Sequence, residues 1–183
     1  NAFHAIFGHD GICVITHPSD TAPALVALNA RVRVTGPKGR RTVPVSDLHV
    51  LPSENVEAET VLTPGEIITH IEVPPPSSGL RTSYRKVRAR RAWDFALAGV
   101  ALALEMNGDT VVDGRVVLSG AAPIPWRSRT VEDIIRGRTL DDKTIAKAGR
   151  AAVEGAEPLS ENAYKVYLFQ GVVEEELAAI RGR

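Results

Sequence analysis

The sequence predicts an α+β protein, with a small antiparallel sheet packed by three helices in its second half. Three observations carry this. Residues 95–106 and 111–119 are apolar runs flanking Asn107-Gly108, a dipeptide suited to a tight hairpin because both residues tolerate positive φ. Residues 127–137, 141–155 and 161–181 then read as helices, the last with Val166, Phe169, Val173, Leu177 and Ile180 on one stripe. Finally, residues 74–79 (PPPSSG) form a linker, because three consecutive prolines remove backbone donors.

In chain order, residues 11–16 (GICVIT) are a short apolar run expected to form a buried strand. His17-Pro18-Ser19-Asp20 interrupts it, and Ser19 or Asp20 is placed to cap a helix over 21–30, with Leu25, Val26 and Leu28 on its buried face. Residues 31–35 and 41–45 alternate about the turn 36–39, a second hairpin. Residues 46–50 are a helical turn or loop, 51–60 are irregular, 63–66 turn and 67–73 form a strand. Past the linker, residues 80–91 are extended and basic. In 95–106, Val100, Leu102, Leu104 and Met106 share one face and Ala101 and Ala103 the other, so both faces are expected to be covered. Asp141 or Asp142 and Ser160 are the expected caps of the last two helices.

Composition excludes several functions. Apolar residues make up 44%, enough for a core, and 22 basic residues balance 22 acidic ones, so no net charge points to nucleic acid or an anionic membrane. No apolar run reaches bilayer length and no secretion signal opens the chain. The chain starts at Asn1, which is the expectation for a partial or trimmed polypeptide. The single cysteine, Cys13, rules out an internal disulfide and any all-thiolate metal site built from this chain alone. His17, Ser19 and Asp20 have the residue types of a hydrolytic triad, yet they are too close in sequence to converge and lack a nucleophile elbow. The histidines show no HxH or HExxH spacing, and neither a Walker motif nor GxGxxG is present.

The run 85–91 (RKVRARR) has two readings. It is either a solvated strand edge whose charges block edge pairing, or an anion or cofactor site with Lys86, Arg88 and Arg90 on one face and Asp94 close by.

Six phrases in order bear on function: residues 1–8 (NAFHAIFG) leading to Cys13; 17–20 (HPSD) followed by 24–28 (ALVAL); 64–68 (PGEII); 84–88 (YRKVR) running to Asp94-Phe95-Ala96; 120–127 (GAAPIPWR); and 162–165 (NAYK). Together they resemble the FAD-binding medium subunit of the xanthine dehydrogenase and carbon monoxide dehydrogenase family. Within it they look most like the branch of the bacterial aldehyde oxidoreductases and 4-hydroxybenzoyl-CoA reductase. The resemblance implies that residues 1–76 are the end of a two-subdomain FAD-binding domain and 77–183 a flavoprotein C-terminal α+β domain. It implies FAD contacts at Ser19 and Asp20, apolar packing on the cofactor by Ile67 and Ile68, a positive charge near the flavin ring at Lys86 and an ordering carboxylate at Asp94. It also implies that Cys13 ligates a [4Fe-4S] cluster whose other three thiolates lie upstream of Asn1.

The departure from the family is the missing first flavin subdomain with its glycine-rich phosphate loops, so the isolated chain is expected to hold FAD weakly and to be inactive. The implied activity is electron transfer: an oxidoreductase subunit receiving electrons from iron-sulfur clusters and passing them through FAD to an acceptor. The implied partners are a molybdopterin-binding large subunit and a [2Fe-2S] small subunit, with no nucleic acid and no membrane insertion. The implied compartment is the cytoplasm, or the periplasm after export with a partner. The rival reading is a non-catalytic subunit-interaction domain that binds no flavin on its own.

Overall fold

The computed structural model describes residues 1–182. Two antiparallel sheets organise it: a three-stranded sheet ordered β2-β1-β3 and a four-stranded sheet ordered β4-β5-β6-β7. The first contains β1 (Arg31–Gly36), β2 (Gly39–Pro44) and β3 (Ile67–Glu72); the second contains β4 (Leu80–Val87), β5 (Ala98–Asn107), β6 (Thr110–Ser119) and β7 (Trp126–Arg127). Helix α1 (Thr21–Ala27) precedes the first sheet, and α2 (Arg129–Ile135), α3 (Asp142–Ala151) and α4 (Tyr164–Arg181) follow the second. The α+β class read from the sequence is the architecture observed.

The alternation along β5 sets the layering. Val100, Leu102 and Leu104 join Val116, Leu118, Phe169, Val173, Leu177 and Ile180 in the larger core, under the three C-terminal helices. Ala101 and Ala103 face the other way, with Val117, into a second core made by Val26, Val32, Val34, Val43 and Val45. Small alanines on that face let α1 and the first sheet approach closely, so one central sheet is covered on both sides.

Several local expectations need correction. The β5–β6 turn places Gly108 (φ 58) and Asp109 at its centre, since Asn107 pairs with Thr110, so Asn107 is the last strand residue. Only Gly108 takes positive φ, which fits a turn with glycine at its first central position. Residues 11–16 form no strand: Ile12 is 84% exposed, and the segment joins no ladder. The Val14 carbonyl instead accepts the Ala5 N–H at 2.9 Å. In α1 the buried side chains are Ala22, Pro23, Val26 and Ala27, while Leu25 and Leu28 lie at the margin, because the helix is shorter than expected. Asp141 does cap α3, accepting the Thr144 N–H at 2.7 Å. Ser160 caps nothing; Asn162 organises that end by accepting the Leu159 N–H at 2.6 Å.

The N-terminal segment docks on the larger core rather than on the first sheet. Ile6 and Phe7 are buried in that core, and Phe7 stacks on Trp126 with ring centroids 5.1 Å apart. The Ile6 and Phe7 N–H groups both reach the Ala121 carbonyl, at 2.8 and 3.1 Å. Asn162 donates to the carbonyls of His4 and Ala5, each at 3.1 Å. Lys165, wholly buried, donates to the carbonyls of Phe3 (3.2 Å), His4 (2.9 Å) and Gly120 (2.6 Å). Gly120 itself is at φ 72, and a Cβ there would sit 2.6 Å from the Ala96 carbonyl oxygen, so glycine is required.

Candidate functional site

The segment His17–Asp20 bridges the two halves. The His17 N–H reaches the Ala122 carbonyl at 2.9 Å, and the His17 ring meets His49 edge-on, centroids 4.4 Å apart. Burial lowers the pKa of His17. Burial, then the neighbouring His17, lowers that of His49 to about 4, and the buried Nδ1 of His49 has no hydrogen-bond partner among the described residues. Ser19 Oγ accepts the Ala22 N–H at 3.0 Å and so opens helix α1. That leaves Asp20 free to reach across to β4.

There, Lys86 Nζ donates to Asp20 Oδ2 at 2.6 Å and the Tyr84 hydroxyl donates to Asp20 Oδ1 at 3.2 Å. Burial first, then the Asp20 charge, pushes the Tyr84 pKa up to about 12, so the phenol stays protonated and remains a donor. Beyond the end of β4, Asp94 Oδ2 accepts the N–H groups of Ala89 and Arg90, at 3.0 and 3.1 Å, closing the loop 88–95. Arg90 Nε lies 4.0 Å from Asp94, and its guanidinium also donates to the Trp93 carbonyl.

A hollow of about 460 Å³ opens between these elements, lined by Pro18, Asp20, Lys86, Arg88, Arg90, Trp93, Asp94 and Phe95. The structure thus brings together Asp20, Lys86 and Asp94, singled out in sequence 66 and 8 residues apart for successive pairs. Ser19 adjoins the hollow through Asp20 but its hydroxyl is engaged in the cap. Ile67 and Ile68 lie on β3, 64% and 41% exposed, and do not line the hollow. Cys13 lies on the N-terminal loop, half-buried, its N–H held by Asp10 Oδ1 at 2.8 Å. His17, Ser19 and Asp20 form no relay, since Ser19 caps a helix and Asp20 binds Lys86. Among the described residues, no group of three or more His, Cys, Asp or Glu could hold a metal ion.

Sequence reasoning passed over Tyr84, Trp93 and Phe95 as site residues. The signal available for the last two was two large aromatics, Trp93 and Phe95, in a stretch otherwise too charged to be core.

Residues 82–177 match the CO dehydrogenase flavoprotein C-terminal domain, and residues 11–76 match the FAD binding domain in molybdopterin dehydrogenase. The chain is therefore of flavoprotein type, and more particularly it belongs to the FAD-binding subunits of the molybdenum hydroxylase family. It is 34% identical to the aldehyde oxidoreductase FAD-binding subunit PaoB of Escherichia coli (strain K12), over 98% of this chain and 54% of that protein. It is 31% identical to the carbon monoxide dehydrogenase medium chain of Hydrogenophaga pseudoflava, over 78% of this chain and 48% of that one. Among solved structures, a carbon monoxide dehydrogenase from Hydrogenophaga pseudoflava lacking the Mo-pyranopterin moiety superposes with a TM-score of 0.75 at 28% identity, covering 87% of this chain and 56% of that one. The chain spans about half the length of the curated relatives it matches.

Proposed function

We propose that this chain supplies one wall of the FAD cleft in the flavoprotein subunit of a molybdenum hydroxylase complex. In this reading electrons from iron-sulfur clusters pass through FAD to an external acceptor. The observation that carries the proposal is the hollow in which Asp20, Lys86 and Asp94 meet. Its donor set suits a flavin dinucleotide: cations for a diphosphate, a carboxylate for sugar hydroxyls and aromatic faces for planar rings. FAD, when bound, supplies the one- and two-electron chemistry. The chain's residues supply position and field. Asp20 fixes Lys86 through the 2.6 Å bond and Tyr84 fixes Asp20, so the ammonium is held in place at the hollow. A fixed cation there favours negative charge developing on a reduced ring.

The reading divides the chain at residues 76 and 77, in the proline run, and gives Cys13 the role of one [4Fe-4S] ligand. Isolated, the chain would hold FAD weakly, since it has no glycine-rich phosphate loop. A molybdopterin-binding large subunit and a [2Fe-2S] small subunit complete the complex, in the cytoplasm or, exported with a partner, the periplasm. Among the described residues no helix is long and apolar enough to cross a membrane.

The test is the visible spectrum of the full-length subunit, where bound flavin absorbs at about 450 nm. Lys86→Ala in that subunit should slow flavin reduction or reoxidation by about tenfold or more, with unchanged thermal stability. A flavin-free full-length subunit would refute the proposal. One observation favours the second reading, a scaffold that binds no flavin: Tyr167 is 79% and Tyr164 40% exposed on α4, a surface suited to another subunit.

A further inference from the structure

The three-stranded sheet has one face in the core and one in solvent, and the solvent face carries more positive charge than the fold neutralises. On β1, Val32 and Val34 point into the second core, so Arg31, Arg33 and Thr35 point out. The register sets Thr42 and His70 on either side of Arg33, and Arg40 opposite Thr35. Arg31, Arg33 and Arg40 thus share a face with one carboxylate, Glu72, which stands opposite Arg31 and pairs with Arg33. Like charges on one face repel, so a surplus that the fold leaves unpaired marks a place for an outside anion.

A hollow of about 240 Å³ opens on this face, with Arg33, Thr35, Arg40, Thr42, Thr69 and His70 in its lining. None of these residues lines the hollow at Asp20. It lies where β3 bulges: Arg33 pairs with His70 and Val34 with Ile68, which leaves Thr69 as the extra residue. Several of its polar groups are already engaged. Thr69 Oγ1 donates to the Arg33 carbonyl at 3.2 Å and, its proton used, accepts from His70 Nδ1 at 3.0 Å. Arg33 is held by Glu72, and the neighbouring Arg41 by both oxygens of Glu66 and by the Val61 carbonyl. Three groups are left over. The guanidinium of Arg40 and the hydroxyls of Thr35 and Thr42 have no partner among the described residues.

We infer that this hollow binds a phosphate dianion, with the Arg40 guanidinium donating to two of its oxygens and the Thr35 and Thr42 hydroxyls to the others. The donor set decides the ligand. A carboxylate presents its oxygens in one plane, and a bidentate arginine alone satisfies it. A tetrahedral phosphate has oxygens to spare for hydroxyls on two adjacent strands, where Thr42 stands diagonal to Thr35. Size sets the limit. At about 240 Å³ the hollow falls below the roughly 300 Å³ at which pockets for whole organic ligands begin, so it takes a free phosphate or the phosphoryl end of a larger molecule. The site stands apart from the FAD reading and does not depend on it.

The experiment titrates the full-length subunit with inorganic phosphate, phenyl phosphate and acetate at constant ionic strength, following backbone amide shifts by nuclear magnetic resonance. Phosphate is expected to saturate the shifts of residues 33–42 and 69–70 with a dissociation constant on the order of 1 mM. Saturation by phenyl phosphate as well supports the site as one for a phosphoryl group on a larger molecule; saturation by phosphate alone supports it as one for the free ion. Arg40→Gln, which removes no bond made within the fold, is expected to weaken phosphate binding by about tenfold, and Thr42→Val by about threefold. Arg31→Gln, on the same face but outside the hollow, is expected to stay within about twofold of wild type, because its charge is screened. Acetate that saturates as tightly as phosphate overturns the phosphate assignment in favour of an acidic side chain. Shifts that rise without saturating, or an Arg40→Gln subunit with the wild-type constant, overturn the site itself.

Discussion

Replacing Lys165 by methionine tests how the two ends of the chain are joined. The side chain is fully buried, its ammonium donates to three carbonyls, those of Phe3, His4 and Gly120, and among the described residues no carboxylate pairs with it. Burial lowers its pKa to about 8, so it is still charged at neutral pH. The fall from 10.5 to about 8 corresponds, at roughly 1.36 kcal/mol per pH unit, to about 3 kcal/mol of burial cost. Against this stand three charge-assisted bonds, each contributing roughly 1.5–3 kcal/mol. Methionine removes the cost and the bonds together, and leaves the Phe3 and Gly120 carbonyls short of a donor, while that of His4 keeps Asn162. The balance predicts a loss of about 2–5 kcal/mol. In the full-length subunit, about twice the length of this chain, that is a fall in Tm of a few degrees. Thermal unfolding of the full-length subunit followed by circular dichroism at pH 7 measures it. A change smaller than about 0.5 kcal/mol would refute the reasoning, because it would mean that the carbonyls are satisfied without the ammonium.

His49 has its folded pKa lowered to about 4, below the 6.5 of an ordinary imidazole, so the folded state binds fewer protons than the unfolded one between those values. Stability is therefore full above pH 6.5 and falls as pH drops toward 4; urea unfolding across that window should show the slope, and His49→Gln should flatten it. Glu132 is 1% exposed and accepts from Arg127 at 2.7 and 2.9 Å and from the Val116 N–H at 3.1 Å. Glu132→Ala strands the guanidinium of Arg127 and should cost about 3–5 kcal/mol in chemical denaturation, while a loss below about 1 kcal/mol would show that water replaces the carboxylate.

Much of this molecule was written locally. The alternation of Val100, Leu102 and Leu104 with Ala101 and Ala103 determined a strand covered on both faces, because side chains point to opposite sides of a sheet whatever packs on them. Turn chemistry at residues 36–39 and 107–108 pointed to two hairpins, and both form, the second centred one residue later at 108–109. Periodicity determined α4, with Phe169, Val173, Leu177 and Ile180 in the core. The run at 11–16 misled because short apolar stretches form strands only where a neighbouring strand offers a ladder.

The tertiary structure alone decided what several phrases are for. Asn162 and Lys165 belong with residues 3–5 and with Gly120, a contact across about the length of the chain that no local pattern encodes. Likewise Asp20 found Lys86 and Tyr84 only when α1 packed on the central sheet, and the hollow exists only because the loop closed by Asp94 stands opposite Pro18. The physical reason is one of range. Backbone preferences act within a few residues, whereas the partners of a buried ammonium or a bridging carboxylate are chosen by the packing of whole elements, which a one-dimensional pattern does not contain.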